Sequence, residues 1–154
     1  MVWFRSLLFQ FYFFASVCLH ALAIAVLFFM PYRFLFGIAK LWARGMLFVG
    51  KYLCGLDYVV EGRENIPDEP SVIMIKHTTA FETYAQIAVF PPQTWVLKRE
   101  LLWIPFFGWG LAAVKPIAIN RGAGHHAVQQ VIEKGNARLK DGIWVTIFPE
   151  GTRM

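Results

Sequence analysis

Apolar positions follow two textures along this chain. Residues 6–30 (SLLFQFYFFASVCLHALAIAVLFFM) are almost continuously apolar, broken by Gln10 and His20 but by no formal charge. As a helix such a run is about 37 Å long, more than the ~30 Å hydrocarbon core of a bilayer. No small-x-small cleavage site is followed by polar sequence, so the run reads as an anchor rather than a signal peptide. Pro31 ends it. Residues 34–56 mix Phe, Leu, Trp and Val with Lys40, Arg44 and Lys51. Basic residues spaced through an apolar run suit a helix lying in the membrane interface. The pattern predicts an N-terminal membrane-associated helical hairpin over residues 1–56, either spanning or dipping into one leaflet.

From Asp57 short apolar runs alternate with helical patterns. Residues 58–60, 71–75, 94–97, 114–119 and 143–148 read as strands, and 71–75 (SVIMI) reads as buried on both faces. Pro116 marks 114–119 as an edge strand or a bulge. Residues 81–90 read as a helix stopped by Pro91 and Pro92, and 101–113 as an irregular aromatic segment. Residues 125–140 form an amphipathic helix with Val128, Val131, Ile132 and Leu139 on one face. The fold class is therefore α/β, a partly parallel sheet flanked by helices, with a second domain over residues 57–154.

Composition sharpens the membrane reading. The chain is 57% hydrophobic and 16% charged, against about 25% charged in ordinary soluble domains. Residues 1–56 carry Arg5, Arg33, Lys40, Arg44 and Lys51 and no acid; residues 57–154 carry ten basic and ten acidic residues. Basic charge confined to an apolar segment points to anionic lipid headgroups. Nucleic acid is set aside, because the rest of the chain is neutral and has no basic stripe. Only Arg5 precedes the first apolar run and four basic residues follow it, so the remainder faces the cytoplasm. Cys18 and Cys54 have no metal-binding spacing and fit a reduced compartment.

The chemistry sits after the strands. Lys76 and His77 follow one, Lys98 and Arg99 another, Asn120 and Arg121 a third, and Glu150, Gly151, Thr152 and Arg153 the last. Open α/β sheets bind ligands beyond the carboxyl ends of their strands. If the strands are parallel, these clusters meet at one cationic mouth suited to a phosphate-bearing ligand. His77 is the candidate general base. Glu82 is the candidate partner that fixes its tautomer. Five residues on one helix leave side chains about 140° apart. The pair therefore meets only if His77 lies in the turn and Glu82 in the first helical turn, with Thr78 or Thr79 as the cap. Lys98, Arg99, Arg121 and Arg153 are phosphate candidates, and the turn at Glu150, Gly151 and Thr152 offers N–H groups and a hydroxyl. The only serines are Ser6, Ser16 and Ser71, all distant from His77 in this reading. With no nucleophile nearby, the base must act on a hydroxyl or water brought by the substrate. His125 and His126 lack metal-ligand spacing and read as surface residues.

In this order, H-x4-acid at His77 and Glu82, K-R-E-L with Pro105 and Gly108 behind it, I-N-R ending at Arg121, and F-P-E-G-T-R ending at Arg153 resemble the 1-acylglycerol-3-phosphate (lysophosphatidate) acyltransferases. The resemblance covers most of residues 58–153. It implies that His77, oriented by Glu82, deprotonates the sn-2 hydroxyl of lysophosphatidate. The oxygen then attacks the thioester of acyl-CoA or acyl-carrier protein, giving phosphatidate without a metal, an organic cofactor or a covalent acyl-enzyme. It implies a glycerol-phosphate role for Glu150, Gly151, Thr152 and Arg153, and a substrate-binding role for Lys98, Arg99 and Arg121. The commoner acid in the histidine motif is Asp, where this chain has Glu82. Members continue for many tens of residues past this turn, so the C-terminal part of the family fold is expected to be missing here. The alternatives are a catalytically inactive membrane-bound fragment, or transfer to another lysophospholipid.

Overall fold

The structure, a computed structural model, describes residues 2–120, 122 and 124–151. Helix α1 (Val2–Val26) turns at Pro31 into α2 (Tyr32–Val49), which runs on through a π-helical turn, Gly50–Cys54. Among the described residues α1 is the one helix long and apolar enough to cross a membrane. Only Ser16, Ala21 and Ile24 of α1 are buried. Its remaining faces expose Phe4, Leu7, Phe11, Leu19 and Val26. In α2, Leu35, Phe36, Ala43, Met46 and Leu47 are buried, a spacing that makes one inward stripe.

The hairpin closes on itself and packs against the α/β part. Cys54 Sγ sits 3.8 Å from the Arg5 carbonyl oxygen, and Trp42 Nε1–H donates to Ser16 Oγ at 3.1 Å. Further along, α1 meets α4 (Phe107–Ala113). There a Cβ built on Gly110 falls 2.4 Å from the Ala21 carbonyl oxygen. Only a glycine lets the two backbones approach so closely. One apolar core joins Ile24, Phe36 and Met46 of the hairpin to Tyr84, Ile87, Trp95 and Leu97. Each such side chain contributes about 1.5–3 kcal/mol on burial. A buried polar chain adds direction. Tyr32 Oη–H donates to the Gln93 carbonyl at 2.6 Å, Gln93 Nε2–H to the Gln86 carbonyl at 3.1 Å, and Thr146 Oγ1–H to Gln93 Oε1.

Four strands, β1 (Val72–Met74), β2 (Gln93–Lys98), β3 (Ile117–Ile119) and β4 (Trp144–Ile147), form a sheet of order β1-β4-β2-β3. Every pairing is parallel. Helix α3 (Phe81–Val89) follows β1, and α5 (His125–Lys140) joins β3 to β4.

Several expectations are corrected. Residues 58–60 form no strand; Tyr58 instead packs its ring against Phe81 at 6.0 Å. β1 is not buried on both faces. It is an edge strand, and Val72 and Met74 are exposed while Ile73 is buried. β3 starts only at Ile117, because Lys115 takes φ 52° and Pro116 has no N–H to donate. It is an edge strand, as Pro116 implied. In α5 the buried residues are Ala127 and Gly135, and Val128 and Ile132 face outward. Residues 101–113 resolve into a 3₁₀ turn, Arg99–Trp103, and α4.

Candidate active site

Because all four strands run parallel, their carboxyl ends share one edge of the sheet. Met74 pairs with Ile147 and Val96 with Ile117, and Trp95 pairs with Thr146. Counting three positions on from Met74, Ile147, Val96 and Ile117 puts His77, Glu150, Arg99 and Asn120 at one level of the register. With strands about 4.8 Å apart, the β1 and β4 ends are neighbours, β2 is roughly 10 Å from β1, and β3 is the most remote. Ser71 sits before β1, at the opposite end of that strand from His77.

His77 and Glu82 meet as the turn-plus-helix geometry requires. His77 Nδ1–H donates to Glu82 Oε1 at 2.7 Å. Their side chains are 20% and 18% exposed, accessible yet half-enclosed. Glu82 also accepts from Thr78 N–H at 3.0 Å, from Thr79 N–H, and from Thr79 Oγ1–H at 2.6 Å. Thr79 Oγ1 in turn accepts the Phe81 N–H at the head of α3. Thr79-Ala80-Phe81-Glu82 thus works as a capping box, in which the acid of the first turn reaches back to the capping threonine. One carboxylate both starts the helix and grips the imidazole. Burial raises its pKa, but hydrogen bonds from Thr79, His77 and the backbone outweigh that, holding the Glu82 carboxyl at about 2 against an ordinary 4.5. An ionised Glu82 on Nδ1–H leaves the Nε2 lone pair free to take a proton.

The last strand brings its turn to this pair. Ile75 N–H donates to the Ile147 carbonyl at 3.1 Å. The Phe148 ring lies 4.5 Å from the His77 ring, centroid to centroid. Glu150 is half-buried, and its Oε2 has no hydrogen-bond partner among the described residues. Gly151 takes φ 70°, a conformation side chains resist, and its N–H closes the turn on the Phe148 carbonyl at 3.1 Å. From β2, Lys98 is exposed and lies 3.5 Å from Glu100, and Arg99 is exposed at the start of the 3₁₀ turn. Arg121, Thr152 and Arg153 lie outside the described residues.

One participant escaped the sequence reading, and one expected cap does more than cap. Phe148 as a wall for the imidazole follows from strand order, which no local pattern carries. Of Thr78 and Thr79, the two expected caps, Thr79 is the one whose hydroxyl caps α3, and it also grips Glu82 in the T-x-x-E spacing of a capping box.

A sequence model described as Acyltransferase matches residues 57–154. The chain belongs to the acyltransferase family. Within that family it is 46% identical over 123 residues to the 1-acyl-sn-glycerol-3-phosphate acyltransferase of Pseudomonas aeruginosa, covering 80% of this chain and 47% of that protein. It is 32% identical over 115 residues to the Saccharomyces cerevisiae protein of the same description, covering 72% of this chain and 37% of the other. The chain therefore spans about half or less of the length of these relatives. The fold matches the crystal structure of the Thermotoga maritima 1-acyl-sn-glycerophosphate acyltransferase PlsC with a TM-score of 0.75 and 22% identity. That match covers 100% of this chain and 64% of the other.

Proposed function

We propose that this protein transfers a fatty acyl group from an acyl thioester to the sn-2 hydroxyl of 1-acylglycerol-3-phosphate, giving phosphatidate. The observation that carries the reading is the His77–Glu82 pair set against the Phe148–Gly151 turn. His77 Nε2 takes the hydroxyl proton as the oxygen attacks the thioester carbonyl. The tetrahedral intermediate collapses by breaking the C–S bond, and the imidazolium returns its proton to the leaving thiolate. No side chain is acylated. Arg99 and Lys98, one strand beyond the Glu150 turn, supply cations for the acceptor phosphate. Thr152 and Arg153 act on the same phosphate by the resemblance of their motif. Glu150 and Gly151 shape that corner. Arg121 acts on the same substrate by the resemblance of its motif. The donor is acyl-CoA or acyl-carrier protein, and the chemistry asks for no metal or organic cofactor.

The membrane holds the acceptor. The close packing of α1 on α4 supports a one-leaflet anchor, since an α1 that crossed the bilayer would drag α4 into the hydrocarbon. The basic residues that follow α1 support a cytoplasmic site. The test is the protein in lipid nanodiscs, supplied with lysophosphatidate and acyl-CoA and read for phosphatidate by mass spectrometry. Phosphatidate and free thiol in equal amounts are expected. Folded, membrane-bound protein that releases no thiol with lysophosphatidate overturns the reading, and turnover with another lysophospholipid alone reassigns the acceptor.

A further inference from the structure

We infer that residues 101–109 are a second membrane foothold, with Trp103, Phe106 and Trp109 seated in the headgroup region of an anionic phospholipid bilayer beside α1. The segment displays its rings outward. Trp103 is 71% exposed, Trp109 53% and Phe106 46%. A scattered apolar residue on a surface means little, but these fall within seven positions, and two of them touch. Phe106 and Trp109 lie 5.2 Å apart, edge to face. The display is also held under strain. Phe106 takes φ 62° and ψ −60°, a region that costs a non-glycine residue on the order of 1–3 kcal/mol. Flanking hydrogen bonds hold it there, Phe107 N–H to the Pro105 carbonyl and Gly108 N–H to the Ile104 carbonyl, both at 2.7 Å.

Three observations identify a bilayer as the occupant. The first is continuity. Gly110 sits on the Ala21 backbone, so Trp109 flanks the exposed stripe of Leu19, Leu22 and Val26 on the most apolar helix of the chain. The second is chemistry. Tryptophan has an apolar body and one N–H donor, the combination that favours the boundary between hydrocarbon and water. The third is charge. Residues 101–120 contain no acid and carry the exposed Lys115, and the acid that precedes them, Glu100, is paired with Lys98 at 3.5 Å, beside the exposed Arg99, a cationic balance that suits anionic headgroups. The segment leaves β2 at the end of the sheet that carries His77. Seating it would press the mouth of the site against the lipid surface, so that an amphiphile reaches the imidazole without crossing water.

The inference rests on membrane association of α1 and is tested apart from it. In the Cys18→Ala, Cys54→Ala background, a nitroxide is placed by Trp103→Cys, by Trp109→Cys, by Phe11→Cys on α1, or by Glu133→Cys on α5. Accessibility to a water-soluble nickel reagent and to oxygen is read in phosphatidylcholine vesicles containing phosphatidylglycerol. Labels at 103 and 109 are expected to lose about tenfold in nickel accessibility relative to the label at 133, as the label at 11 does. If 11 is shielded and 103 and 109 stay as open to nickel as 133, the foothold is refuted and the anchor stands. If 11 is also open to nickel, both fall. As a second readout, the Trp103→Ala, Trp109→Ala double variant is expected to bind these vesicles about tenfold more weakly. Unchanged affinity counts against the foothold.

Discussion

Glu82→Gln is the most informative single change. The carboxylate accepts from four donors: His77 Nδ1–H, Thr78 N–H, Thr79 N–H and the Thr79 hydroxyl. Glutamine keeps the shape, removes the charge and replaces one acceptor with an NH₂ group. At neutral pH the capping box weakens by about 1 kcal/mol, and a further 0.3–1 kcal/mol or so goes with the negative charge at the head of α3. The expected cost is therefore about 1–2 kcal/mol, or roughly 2–8 °C in melting temperature for a domain of this size. The pH dependence gives the sign. The folded carboxyl titrates at about 2, below its ordinary 4.5. Ionised Glu82 therefore stabilises the fold fully above about pH 4.5, and that contribution fades as pH falls towards 2. The full shift corresponds to about 3 kcal/mol, which solvent at this half-open site reduces to about 1–2. In melting curves followed by circular dichroism, the wild-type advantage over Glu82→Gln should shrink across this window. The kinetic effect is larger. An amide that donates to Nδ1 drives the proton to Nε2 and removes the base. By analogy with the acid of hydrolase triads, kcat should fall by about 10²–10⁴, or roughly 3–5 kcal/mol in the barrier. A folded Glu82→Gln that keeps more than about a third of wild-type kcat would refute this account of the tautomer.

Other expectations follow from the same contacts. Gly110→Ala drives a methyl into the Ala21 backbone and should destabilise the α1–α4 crossing by about 1–3 kcal/mol; a melting temperature equal to wild type would show that the helices slide apart freely. Arg99→Ala should raise KM for the phosphate-bearing acceptor about tenfold while leaving kcat nearly unchanged, and an unchanged KM removes Arg99 from the site. Tyr32→Phe cuts the hydroxyl's bond to the Gln93 carbonyl, and a loss of about 1 kcal/mol in chemical denaturation checks it.

The sequence exposed the parts that depend on local pattern. β-branched runs marked all four strands, and the polar residues behind them marked the edge where the site lies. The alternation with helices implied a partly parallel sheet, and every observed pairing is parallel. Neighbour relations were not legible. The run at 71–75 has the composition of an interior strand, yet strand order leaves it at the edge, where Met74 is exposed. Tyr58 to Val60 has β-favouring residues but pairs with no strand among the described residues. On α5 the packing surface is set by Ala127 and Gly135, small residues that let the helix sit close to the sheet; a reading weighted to large apolar side chains turned that face towards Val128 and Ile132. The Phe148 wall on His77 joins residues 71 positions apart, and only the β1–β4 register brings them together.

The central claim is that His77 Nε2 takes a proton from a substrate hydroxyl beside the Phe148–Gly151 turn. Its most direct test is single-turnover acyl transfer to lysophosphatidate by wild type and His77→Ala, both reconstituted and shown to be folded. The account predicts phosphatidate from wild type and a rate at least about 10³-fold lower from His77→Ala. A His77→Ala protein that transfers acyl groups at a wild-type rate would contradict it.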